Sequence, residues 1–207
     1  MKIIALEGGM GSGKSTIGKQ LQENGYYYFP EAISFLSKTE CDSLWSMVGT
    51  DKAMELLLEA EKRRMLEIKK LPEDSKVILD RSYYTFLAFE YASKNMERFE
   101  KYNKLFPLLK DVIIPDFLIF IHIGQNERLQ ILNFRGEIEK KETSIMFQTE
   151  FNDRLKKFFG LHYKGKKIIL DLSSKDVKDS YIEVLKNIKI CEKYLIKDTI
   201  MQGKGII

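Results

Sequence analysis

The sequence predicts an α/β fold: a five-stranded parallel sheet with helices on both faces. Five short runs rich in apolar or β-preferring residues, at 3–6, 26–29, 77–79, 117–121 and 167–170, are separated by helical patterns. Most of these runs are nearly continuous in apolar residues, as strands covered on both faces are. Strict alternation of strand with helix argues parallel pairing through right-handed crossovers.

The elements follow in chain order. Residues 3–6 form the first strand and end at a glycine loop. Lys14–Glu23 reads as the helix after that loop, stopped by Gly25. Residues 26–29 read as the second strand, although three tyrosines also suit a loop. Residues 51–71 place Met54, Leu57, Leu58, Met65 and Leu66 among charges, with Asp51 as a cap and Pro72 beyond the end. After the strand 77–79, helices are expected over 82–93 and 97–112. The strand 117–121 leads to a helix over 126–134, then one over 143–159, the strand 167–170 and a last helix over 175–188.

The chain has 207 residues, 44% hydrophobic and 31% charged, which suits one packed domain and argues against general disorder. No repeat, low-complexity tract or Pro/Gly-rich linker divides it, so residues 1–207 are expected as a single domain, with a tail over about 197–207 expected to fray. A net charge of +4 is too small to demand nucleic acid but can steer an anionic metabolite. Cys41 and Cys191 have no CxxC or metal-ligand spacing and read as free thiols, which suits a reducing compartment. No apolar run approaches the roughly 20 residues that span a bilayer, and the first residues are too short for a signal segment, so a cytoplasmic protein is expected.

Gly8-Gly9-Met10-Gly11-Ser12-Gly13-Lys14-Ser15 matches G-x-x-x-x-G-K-[ST] in full, between a strand and a helix. Glycines let backbone N–H groups curl around a phosphate, and the helix N-terminus adds positive potential. In this P-loop Lys14 is expected to reach the β- and γ-phosphates of a nucleoside triphosphate, and Ser15 to offer its hydroxyl to Mg²⁺.

Two further turns belong to the same rim, because ligands of open parallel sheets lie outside the carboxyl ends of the strands. After the third strand, Asp80 is suited to Mg²⁺ and Arg81 to bridging phosphates. The plainer alternative is a surface salt bridge, with Ser82 as a helix cap. After the second strand, Glu31 is either the base for an acceptor hydroxyl or an N-terminal helix charge. Phe35, Trp45, Tyr83, Tyr84, Phe86, Phe89 and Tyr91 gather after these turns, most as core and some as candidates to stack on a base. Residues 126–141 carry Arg128, Arg135, Lys140 and Lys141. Arg135 beside Gly136 suits a hinged cationic lid; the alternative is a solvated, salt-bridged face. His122 and His162 pair neither with each other nor with a cysteine at metal spacing, and His122, at a strand end, is expected to be packed or hydrogen-bonded, not catalytic.

Leu6-Glu7-Gly8-Gly9-Met10-Gly11-Ser12-Gly13-Lys14-Ser15-Thr16 resembles the opening of thymidylate and deoxynucleoside kinases, E-G-x-x-G-x-G-K-[ST]-T. Asp80-Arg81-Ser82 is similar to their acidic-Arg turn and is a hybrid of the two groups' forms. Pro115-Asp116-Phe117-Leu118-Ile119 resembles their approach to the fourth strand, and Arg135 to Glu142 their lid. The resemblance spans roughly residues 1–190, with the P-loop its most specific part.

What it implies is the P-loop three-layer α/β/α fold, strand order 2-3-1-4-5, a helical lid over about 134–143, and ATP- and Mg²⁺-dependent transfer to a nucleoside or nucleoside monophosphate. Gly8 to Thr16 would hold the donor, Ser15 and Asp80 the metal, and Lys14, Glu31, Asp80, Arg81 and Arg135 would do the chemistry. Phe29-Pro30-Glu31-Ala32-Ile33 lacks the R-E-P-G-G-T stretch of thymidylate kinases. It is closer to the P-E-P turn whose glutamate is the base in deoxynucleoside kinases, which tips the acceptor toward a nucleoside. A homodimer is left open. The rivals are a P-loop kinase for another metabolite and a nucleotide-driven switch; no N-K-x-D loop supports the second.

Overall fold

A computed structural model describes residues 1–134 and 145–203. Five parallel strands, β1 (Lys2–Gly8), β2 (Tyr27–Phe29), β3 (Lys76–Asp80), β4 (Phe117–His122) and β5 (Lys167–Asp171), lie in the order β2-β3-β1-β4-β5. All five expected strands are present, and the order is the one the family resemblance implies. The register sets Leu6 opposite both Asp80 of β3 and Ile119 of β4, so the loop after β1 opens beside the end of β3.

Alternate residues feed two separate cores. Ile4 and Leu6 pack with Ile78, Ile119 and Ile121 against Ile17 and Leu21 of α1 (Lys14–Glu23) and Val184 and Ile188 of α8 (Val177–Gly203). The opposite face sets Leu118 and Phe120 against α4 (Tyr84–Ala92) and α7 (Thr149–Leu161), and Ala5, Val77 and Leu79 against Met65 and Ile68 of α3 (Asp51–Ile68). With both faces covered, the near-continuous apolar strands β1, β3 and β4 find no solvent side, while the edge strands β2 and β5 leave Tyr27 and Ile169 exposed.

Several boundaries differ from expectation. A 3₁₀ turn, Ala32–Phe35, and α2 (Lys38–Ser46) occupy a stretch for which no element was foreseen. Ser37 starts α2 with a reciprocal capping box: its hydroxyl accepts from the Glu40 N–H while the Glu40 carboxylate accepts from the Ser37 N–H. Helix α5 (Met96–Leu105) gives way to a 3₁₀ turn, Phe106–Leu108, well short of residue 112, since Pro107 has no N–H to continue the ladder. Helix α3 ends three residues early. Helix α4 starts at Tyr84 and not at Ser82, because Glu7 engages the N–H and hydroxyl of Ser82. Helix α6 (Gln125–Phe134) is close to its forecast, α7 starts at Thr149 after a 3₁₀ turn, and α8 continues past residue 188 to Gly203.

His162 is exposed on one side and stacks on Phe158 with ring centroids 5.8 Å apart. Cys41 and Cys191 are free thiols. Among the described residues no helix is long and apolar enough to cross a membrane.

Candidate active site

Three strand ends build the site. The loop leaving β1 has positive φ at Gly8 (146°), Gly11 (77°) and Gly13 (83°), where a side chain would be strained. Gly13 caps α1, so the first N–H groups of that helix face the loop. The Lys14 ammonium lies back across the loop and donates to the carbonyl oxygens of Gly8 (3.2 Å) and Gly9 (2.9 Å) and to Ser12 Oγ (3.2 Å). Lys14 is buried. Burial, reinforced by the nearby Arg81 charge, pushes its pKa down from 10.5 to about 8, against the pull of Asp80, Glu31 and Glu7.

At the end of β3, Asp80 is 1% exposed. Its Oδ2 accepts from the Ser15 hydroxyl at 2.5 Å and from the Tyr28 hydroxyl at 2.9 Å. Its Oδ1 is buried and has no hydrogen-bond partner among the described residues. A bare carboxylate oxygen beside a serine hydroxyl at the mouth of a phosphate loop fits a hard, oxygen-loving divalent cation.

Arg81 follows with φ 63°, a left-handed conformation rare for a side-chain-bearing residue. Its N–H still donates to Leu6 O at 2.9 Å, while its side chain turns toward β2. There Arg81 Nε donates to Glu31 Oε1 at 2.7 Å, and the guanidinium stands over the Phe89 ring. Burial works against the charged form of Glu31, but Arg81 and then Lys14 outweigh it and hold the carboxyl below its ordinary value.

Behind this pair stands Arg64 of α3, fully buried. Its guanidinium donates to the carbonyls of Pro30 (3.0 Å), Asp80 (3.1 Å) and Arg81 (3.1 Å), and to Glu61 Oε2 at 2.6 Å. One side chain thus ties the turn that carries Glu31 to the turn that carries Asp80 and Arg81. A second tie comes from Glu7 of β1, completely buried. It accepts from the Ser82 N–H and hydroxyl at 2.7 Å each and from the Thr85 hydroxyl at 2.6 Å. Burial raises the Glu7 pKa, with Arg81 and these donors opposing.

On the far side of the loop, Arg128 of α6 is buried, with its Nε unpartnered among the described residues. Asn152 of α7 lies against Gly9: a Cβ there would strike Asn152 Oδ1, itself buried without a partner.

The structure therefore brings Lys14, Ser15, Asp80, Arg81 and Glu31 together at one rim, with Gly8 to Thr16 around them. Arg135 and the expected lid lie outside the described residues, apart from the end of α6. The aromatic residues divide: Tyr83 and Tyr91 are buried in the core, Tyr84, Phe86 and Phe89 pack partly buried against it, and Trp45 is 60% exposed. Sequence reasoning missed Arg64, Glu61, Tyr28 and Asn152. For the first two a signal existed, since both charges fall on the same helix face as Met54, Met65 and Ile68, where a solvated side chain does not belong.

Comparison with known proteins agrees with this architecture. The family model described as thymidylate kinase matches residues 6–182. No curated protein sequence matches the chain. Among solved structures, deoxyadenosine kinase from M. mycoides, with dCMP and a flexible dCDP bound, superposes with a TM-score of 0.69 at 18% identity, over 90% of this chain and 98% of that one. The same enzyme with dATP gives a TM-score of 0.68 at 21% identity, over 89% and 97%. Thymidylate kinase from Candida albicans gives 0.67 at 18% identity, over 92% of each chain. The chain belongs to the thymidylate kinase family, and so to the nucleotide kinases.

Proposed function

We propose that this family member transfers the γ-phosphoryl group of ATP to a deoxynucleoside, in preference to a nucleoside monophosphate, with Mg²⁺ as cofactor. The observation that carries the reading is the meeting of Lys14, Ser15–Asp80 and Arg81–Glu31 at the ends of three neighbouring strands. Lys14 and the loop N–H groups bind the donor phosphates. Ser15 and Asp80 hold the cation, which when bound neutralises charge on the phosphate oxygens. Arg81 steadies the transferring group, and Arg135 adds charge from the lid segment. Catalysis is mostly alignment and electrostatics.

The acceptor preference rests on charge. A monophosphate acceptor brings an ionised phosphate that needs cations of its own. On the described acceptor side, Arg81 is already matched by Glu31, and Arg64 is paired with Glu61 and donates to three carbonyls, with its Nε buried and unpartnered among the described residues. A neutral 5′-hydroxyl tolerates the Glu31 carboxylate and can pass it a proton as transfer proceeds. Two free cysteines also fit a cytosolic setting.

The test is steady-state turnover of wild type and Glu31→Gln with thymidine, deoxyadenosine, deoxycytidine and dTMP. The expected result is turnover of a nucleoside, with Glu31→Gln lowering kcat by roughly 10²–10⁴. Turnover of dTMP well above every nucleoside, with Glu31→Gln nearly as active, would overturn the acceptor assignment.

A further inference from the structure

We propose that Tyr28 is a positioning residue for the divalent cation: its hydroxyl secures Asp80 Oδ2, leaving Oδ1 and the Ser15 hydroxyl for the metal. The inference rests on the phosphoryl-transfer reading above and deepens it.

The geometry is specific. Tyr28 sits on the edge strand β2, opposite Ile78 of β3, two residues before Asp80. Its hydroxyl runs on to Asp80 Oδ2 at 2.9 Å, the oxygen that also accepts from Ser15 at 2.5 Å. The other oxygen, Oδ1, is buried and unpartnered among the described residues. The carboxylate is thus saturated on one side and bare on the other.

The ring packs against α1 where that helix carries Gly18; a Cβ at Gly18 would run into the Tyr28 ring. A glycine inside a helix costs about 1 kcal/mol relative to alanine. Here it leaves the slot in which the ring is seated. Packing alone asks only for a ring, and phenylalanine would supply that. The hydroxyl is the part that packing does not explain. A carboxylate oxygen can only accept, so the Tyr28 hydroxyl donates its proton to Asp80 Oδ2.

A serine hydroxyl in this loop has two clients, the cation and Asp80 Oδ2. If Ser15 alone held Oδ2, serving the cation would release the carboxylate to rotate. With Tyr28 as a second donor, Oδ2 stays fixed and Oδ1 keeps its aim. Partners that orient a metal-binding carboxylate in this way are typically worth 10–100-fold in metal affinity.

The experiment measures Mn²⁺ binding to the protein–ADP complex by electron paramagnetic resonance and Mg²⁺ binding by calorimetry, beside ADP binding in EDTA. Tyr28→Phe is expected to weaken both metals about 10-fold or more while leaving metal-free ADP affinity within about 2-fold. Gly18→Ala, which displaces the ring, should weaken metal binding likewise in the wild type and have little effect on it in a Tyr28→Ala background. Asp80→Asn separates the two levels of the argument. If Asp80→Asn abolishes metal binding and Tyr28→Phe leaves it intact, the role of Tyr28 is overturned and the kinase site stands. If neither variant alters metal binding, the metal site itself is overturned. Equal weakening of ADP with and without metal in Tyr28→Phe would also overturn the proposal, as general damage to the loop.

Discussion

Arg81 Nε and Glu31 Oε1 meet at 2.7 Å, so the turns after β3 and β2 are joined by an ion pair at the mouth of the phosphate loop. Because Arg81 and Lys14 together hold the Glu31 carboxyl below its ordinary 4.5, Glu31 is ionised throughout the neutral range. A carboxyl whose pKa is lowered by folding contributes stability above its unfolded value and loses it as pH falls. The unfolding midpoint of the wild type should therefore exceed that of Glu31→Gln at pH 6–8, with the gap closing as pH falls below about 4.5. On the same grounds the acid limb of kcat/KM should lie below about pH 4.5. A limb near pH 6 would point to another group.

Lys14 has the opposite sign. Its folded pKa, about 8, lies below the 10.5 of an exposed lysine, so between those values the unfolded chain holds more protons and stability rises with pH. Below about pH 8 the full cost of burying the ammonium is present, on the order of 1–3 kcal/mol. Lys14→Met should raise the unfolding midpoint of the nucleotide-free protein at pH 7, and the difference should shrink between pH 8 and 10. The same variant should lose the stabilisation by ATP and most of its turnover. Calorimetry in buffers of different ionisation enthalpy should show wild type taking up a proton on binding ADP above pH 8.

Arg64 offers a way to separate stability from alignment. Arg64→Met leaves Glu61 buried and unpaired, which should cost about 3–5 kcal/mol in denaturant unfolding. Pairing it with Glu61→Leu should recover most of that loss, since buried ion pairs are often replaceable by well-packed apolar residues. Turnover of the double variant should stay low, because the carbonyls of Pro30, Asp80 and Arg81 no longer share a donor. Return of kcat together with stability would show that Arg64 only fills space.

Arg135→Ala should lower kcat more than it weakens ATP binding, the pattern of a contact made mainly in the transition state. Equal kcat in the two proteins would return the charged segment to a solvated face.

The fold was legible because its signals are local. Each strand is a short apolar run, the glycine loop follows one of them directly, and Lys14–Glu23 emerged with both ends in place. The missed helix α2 was legible too, in Ser37-Lys38-Thr39-Glu40, but its apolar content is low and periodicity passes over it. The site was legible where a residue sits at a strand end, as with Asp80, Arg81 and Glu31. Arg64 and Tyr28 are different in kind. Arg64 shows in the sequence only as a charge beside Glu61 on the apolar face of α3; the carbonyls it ties, and the Asp80 that Tyr28 meets, lie 16 or more positions away on other elements, which nothing local reveals.

The backbone of Arg81 is held in a left-handed conformation at the mouth of the phosphate loop. A non-glycine residue at φ 63° gives up about 1–2 kcal/mol that glycine would not. Replacing Arg81 with glycine relieves that strain but removes a buried guanidinium paired with Glu31 and seated over Phe89, so backbone and side chain pull in opposite directions. An arginine at that dihedral marks a place where what the side chain holds outweighs the comfort of the backbone.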